Sequence, residues 1–120
     1  MIEPDPAAGP VRRFRDASYR PRAANLAEIR SQIDRIDAAI IALLAERASY
    51  VKDATRFKRD AFQVSAPARQ AQVFARVREL AHRANPGFEG FDDVVEATYR
   101  TLVASFVAGE GRHFDATEPL

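Results

Sequence analysis

From Leu26 to about Ala61, apolar residues recur in steps of four and three: Ile29, Ile33, Ile36, Ile40, Leu43, then Tyr50 with Val51, Ala54 and Phe57. That rhythm fits a helix and no strand. It predicts one first helix of about 35 residues, roughly 50 Å long at 1.5 Å per residue. Asn25 stands where an N-cap belongs, with Glu28 three residues on to complete a box-like start. A second stripe, Val73, Phe74, Val77, Leu80, Ala81 and Ala84, predicts a helix from Pro67 to about Ala84. Proline suits its first turn, Ser65 or Ala66 would cap it, and Asn85-Pro86-Gly87 would end it. Residues 62–66 read as a short connection. The third stripe is Val95, Tyr99, Leu102 with Val103, Phe106 and then Glu110, with Asp92 as the expected N-cap. The fold class that follows is all-α, a three-helix subunit with a long first helix.

The first helix is about twice as long as the other two and needs apolar cover along its whole length, which a second copy of the chain would supply. Its stripe also carries charge. Arg47 takes the seam position between Leu43 and Val51, and Lys58 follows eleven residues later, about 20° away at roughly 100° per residue. Arg69 lies four residues before Val73, near the inner side of the second helix. Long cationic side chains can lay their methylenes on a core and extend their charge into water. Two cations on one seam go further than that, because buried unpaired charge is costly and an anionic ligand between helices compensates it. Glu110 ends the third apolar face. Gly109 and Gly111 weaken the helix around it, so the residues alone favour a frayed surface position.

The 120-residue chain carries a net charge of +1, no cysteine and two histidines. A chain of this length makes one domain at most. The near-neutral balance lacks the basic field of a nucleic-acid binder. Without cysteine there is no thiolate chemistry, and the two separated histidines offer no metal-ligand cluster. Residues 1–24 mix proline, arginine and small residues with no apolar period and read as a flexible tail; Arg12, Arg13, Arg15, Arg20 and Arg22 are solvated there or touch an anionic partner. Residues 25–112 form the helical domain, and 113–120, with His113 and Phe114, a C-terminal tail. No secretory h-region or membrane-spanning run is visible, so a soluble cytoplasmic protein without a membrane partner is expected.

The run LAEIRSQIDRIDAAIIALLAERASYVKDATRFK, followed by APAR and a third amphipathic helix, resembles the all-α chorismate mutases and the related isochorismate pyruvate lyases. The resemblance covers about Leu26 to Glu110. Its motifs are Arg30 after Ile29, Ile33-Asp34 with Ile36-Asp37, ALLAER through Arg47, YVK at Tyr50 to Lys52, RFK ending in Lys58, and Pro67 to Arg69. It implies an intertwined homodimer with antiparallel first helices. Arg30 and Arg47 are 17 residues apart, about 25 Å along one helix, so each site would join Arg47 of one chain to Arg30 of the other. The implied substrate is a small dicarboxylate with an enolpyruvyl ether and a hydroxyl. Arg47 and the second chain's Arg30 would bind its carboxylates, Lys58 would donate to the ether oxygen, and Arg69 and Gln70 would make further contacts. The implied reaction is pericyclic and asks for no cofactor, metal, nucleophile or base. Catalysis would come from holding the compact conformer and aiming fixed donors at developing charge, each donor supplying on the order of 3 kcal/mol.

Many members carry glutamine where this chain carries Glu110, and that amide donates a second bond to the ether oxygen. A carboxylate cannot donate, so Glu110 in that place would have to be protonated. Chorismate mutase activity, giving prephenate for aromatic amino acid biosynthesis, is the first expectation. Isochorismate pyruvate lyase activity, giving salicylate and pyruvate, is the alternative: RFK and the short link to APAR look more like the lyases, whereas ALLAER and a residue other than glutamine at 110 suit the mutases. A non-catalytic helical dimer that binds a metabolite or a partner enzyme is the third reading, and the inward Arg47, Lys58 and Arg69 argue against it.

Overall fold

The structure is a computed structural model that describes residues 1–120. It is all-helical. The elements are α1 (Leu26–Ala54), a 3-10 turn (Thr55–Phe57), α2 (Ala61–Ser65), α3 (Pro67–Ala84) and α4 (Phe91–Asp115). Two compact units are distinguished, Met1–Glu46 and Arg47–Leu120, with α1 beginning in the first and ending in the second.

In the first unit, two turns organise the N-terminal segment. The Asp5 carboxylate accepts from the Ala7 N–H at 3.0 Å, and Asp16 accepts from the Ser18 hydroxyl and N–H. These two bonds hold the Asp16 carboxyl below the usual range. The expected start of α1 is present: the Glu28 N–H donates to Asn25 Oδ1 at 3.0 Å, and the Glu28 carboxylate reaches back to the Ala24 N–H at 3.0 Å. The isoleucine stripe stays open, with Ile33 50% and Ile40 47% exposed. No residue of α1 is buried.

The first helix ends earlier than its periodicity suggests, after 29 residues. The Thr55 hydroxyl, on a residue only 2% exposed, turns back to the Val51 carbonyl at 3.3 Å, and the chain tightens into the 3-10 turn. Lys58 then leaves in extended conformation, its N–H bonded to the Thr55 carbonyl. So Lys58 does not extend the Arg47 seam along a helix. The stretch read as a connection contains the one-turn helix α2. Asp60 caps it by accepting from the Gln63 N–H at 2.9 Å, while Gln63 Oε1 accepts from the Arg59 N–H at 2.7 Å. Ala66, at φ 46°, turns the chain into α3, and Pro67 takes the first helical position.

In the second unit α3 pairs with α4, and α2 and the 3-10 turn also pack on α4. Val64, Ala81 and Val103 are its buried apolar residues, whereas Leu80, assigned to the inner stripe, is 46% exposed. Gly90, not Asp92, occupies the N-cap of α4, since the chain arrives there at φ 76° and glycine alone adopts that angle freely. Asp92 falls in the first turn. The helix continues past Gly109 and Gly111 to Asp115, into the segment read as the C-terminal tail. Glu110 is therefore not frayed but 6% exposed on a continuous helix.

Asp60→Ala removes the only side-chain cap of α2 and should lower the unfolding free energy by about 1 kcal/mol, with Asp60→Gly costing only a few tenths. Denaturant unfolding of the three proteins checks this; identical midpoints would show that the cap does not hold the turn.

Candidate active site

Four helical elements converge on one cavity of about 330 Å³ within the second unit. The last turns of α1 contribute Arg47, Tyr50 and Val51, and the segment after the 3-10 turn contributes Lys58. From α2 come Val64 and Ser65, from α3 Arg69, Gln70 and Val73, and from α4 Val103, Phe106, Val107 and Glu110. Five of the six residues singled out in the sequence thus share one cavity. The sixth, Arg30, is an exposed residue of the first unit and does not line it.

The steps 103, 106 and 110 put Val103, Phe106 and Glu110 on one face of α4. Glu110 Oε2 accepts from Lys58 Nζ at 3.1 Å, with the glutamate side chain 7% and the lysine side chain 22% exposed. Burial strengthens the Coulombic attraction within this pair and also costs desolvation, so the large penalty falls on removing one partner and leaving the other unpaired. An ammonium has three donors, so one bond to Glu110 leaves others free to face the cavity. The Arg47 guanidinium lies 4.8 Å from the centre of the Phe106 ring and has no carboxylate partner. Arg69 is exposed at the rim, with Nη1 3.5 Å from Gln72 Oε1. The Gln70 amide nitrogen donates to the Ser65 carbonyl at 2.6 Å, which fixes its side chain against α2.

The cavity thus holds three cations against one carboxylate within a wall of valine and phenylalanine. That combination suits a small dianion, because the acid inside neutralises one cation and leaves two guanidinium groups available. A larger groove, about 750 Å³, runs between α3 and α4, but its cations are already matched. Arg78 pairs with Asp93 at 2.9 Å and Glu96 at 3.4 Å, and Arg100 with Glu96 at 3.2 Å. The smaller cavity therefore has the chemistry, although it has less volume.

Some lining residues were not legible as site residues. Val64 and Ser65 lay in the stretch read as a plain connection, and only the turn of α2 brings them to the cavity. Phe106 and Val107 were visible as stripe residues; the signal that would have marked Phe106 is the pairing of its ring with Arg47, which the sequence alone does not give.

Residues 29–111 match the family model described as chorismate mutase type II. A chorismate mutase from Methanocaldococcus jannaschii is 39% identical over 61 residues, covering 50% of this chain and 62% of that protein. An isochorismate pyruvate lyase from Pseudomonas aeruginosa is 36% identical over 93 residues, covering 77% of this chain and 87% of that protein. With most of its length matched from the isoleucine stripe of α1 to the glutamate face of α4, the chain belongs to the chorismate mutase type II family.

Proposed function

We propose that the protein is a chorismate mutase, rearranging chorismate to prephenate in a site that two copies of the chain build together. The observation that carries this reading is the convergence of Arg47, Lys58, Arg69, Gln70 and Glu110 on one cavity. A volume of about 330 Å³ is at the low end of ligand pockets, which run from about 300 to 1,000 Å³. It suits a single-ring dicarboxylate. Arg47 binds one carboxylate in bidentate fashion, and Arg69 and Gln70 hold the opposite side of the substrate. Lys58 Nζ donates to the ether oxygen as the C–O bond breaks and charge gathers there. The carbon–carbon bond forms in the same step, so side chains supply position and electrostatics only.

The second carboxylate is assigned to Arg30 of the partner subunit. The exposed stripe of Ile29, Ile33, Ile36, Ile40 and Leu43 supports this, because so much open apolar surface on one helix calls for cover. A homodimer with antiparallel first helices supplies it and brings the partner subunit's Arg30 to the cavity. No helix is long and apolar enough to cross a membrane. A cytoplasmic setting belongs to the same proposal.

Isochorismate pyruvate lyase activity is the second reading, favoured by the longer coverage of the Pseudomonas aeruginosa relative. The same cations would serve either reaction, because both break the bond at the ether oxygen.

Purified protein given chorismate or isochorismate separately should form prephenate from chorismate at the higher kcat/KM. Faster release of salicylate and pyruvate from isochorismate would make the lyase reading the right one, and turnover of neither would leave a binding or structural dimer. Glu110 accepts from Lys58 Nζ at 3.1 Å, so on this reading it orients the ammonium that serves the ether oxygen. Glu110→Ala should lower kcat for chorismate, and an unchanged kcat would contradict that role.

A further inference from the structure

We propose that Phe106 is a positioning residue for Arg47, holding the guanidinium in the cavity by its ring face so that the charge stays available to a substrate carboxylate. The inference rests on the reading of Arg47 as a carboxylate ligand. Three guanidinium groups in the second unit stack on aromatic rings. Arg56 lies over Phe57 at 5.5 Å and Arg100 over Phe74 at 4.5 Å, but each also has a carboxylate, Asp53 at 3.0 Å and Glu96 at 3.2 Å. Arg47, over Phe106 at 4.8 Å, has the ring alone.

This difference has a physical meaning. A carboxylate beside Arg47 would orient it but would also compete with the incoming carboxylate of the substrate. A ring face attracts the cation through its quadrupole, excludes water from one side of the guanidinium plane and leaves the N–H edge free. Without such a platform an arginine side chain samples many rotamers, and fixing one of them on binding weakens affinity. The same face of α4 treats the second inward cation differently. Glu110, one turn after Phe106, gives Lys58 a charged partner, which an ammonium with several donors can accept and still reach substrate. So one helix face holds two cations by two means, each fitted to the number and direction of donors that the cation must keep free.

The test is a series at position 106 in the full-length enzyme: Phe106→Tyr, Phe106→Leu, and mono-, di- and trifluorinated phenylalanine, which weaken the ring quadrupole while preserving its shape. KM for chorismate should rise stepwise with fluorination and by about 5- to 30-fold in Phe106→Leu, the range expected for a partly desolvated cation–π contact. Phe106→Tyr should stay near wild type, and kcat should change little across the series, because an interaction made equally in ground and transition states appears in KM. A purely structural role would lower the melting temperature of Phe106→Leu and leave KM flat along the fluorinated series. An active wild type with that flat series overturns the Phe106 role alone. A wild-type protein that consumes neither chorismate nor isochorismate overturns the function beneath it, and this inference with it.

Discussion

The contact between Lys58 and Glu110, 3.1 Å long, joins residues 52 positions apart and ties the segment after α1 to the C-terminal part of α4. Three local features make it possible. The 3-10 turn at Thr55–Phe57 follows α1 so that the chain turns before Lys58, Asp60 caps α2 two residues after it, and α4 runs unbroken through two glycines. Glycine costs about 1 kcal/mol in a helix interior relative to alanine, and in this helix the packing of α3, α2 and the 3-10 turn against α4 outweighs it. Removing either charge would leave the other buried and uncompensated, the costly half of any buried pair.

Several cations elsewhere in the second unit have partners of their own. Arg78, Arg83 and Arg100 each have a glutamate or aspartate, and these exposed pairs contribute little to stability. In the cavity the balance is deliberately uneven, with Arg47 on a ring and Arg69 at the rim. On the proposed reading, that imbalance is completed by a dianionic substrate and by Arg30 of the partner subunit. The open isoleucine stripe of α1 belongs to the same account. A helix with no buried residue owes little to its own packing, and helices of this kind are held in place by what covers their apolar face.

Much of the fold could be read from spacing. The isoleucines of α1, the Asn25–Glu28 start, Pro67 at the first position of α3 and the Val95 to Phe106 stripe of α4 all lie where the periodicity puts them, because each is a local signal. The end of α1 was not legible: Phe57 and Lys58 keep the helical spacing, but the backbone tightens into the 3-10 turn at Thr55–Phe57 and leaves it extended at Lys58. Gly90 took the cap from Asp92 because the backbone arrives there at positive φ, which no side-chain preference reveals. Five site residues were identifiable from family motifs and from charge on apolar stripes, and they meet in the cavity. Glu110 shows the limit of local reasoning. Its glycine neighbours argue for fraying, and only the distant Lys58 shows why the carboxylate is buried.

The central claim is that each site takes Arg47 from one chain and Arg30 from the other. The direct measurement is complementation between Arg47→Ala and Arg30→Ala proteins, each assayed alone and then after co-refolding in equal amounts. Each variant alone should be nearly inactive. Random pairing makes half the dimers mixed, each with one intact site of two, so about a quarter of wild-type activity should return. Two inactive variants that stay inactive when mixed, in a protein that sediments as a monomer, would contradict the shared site.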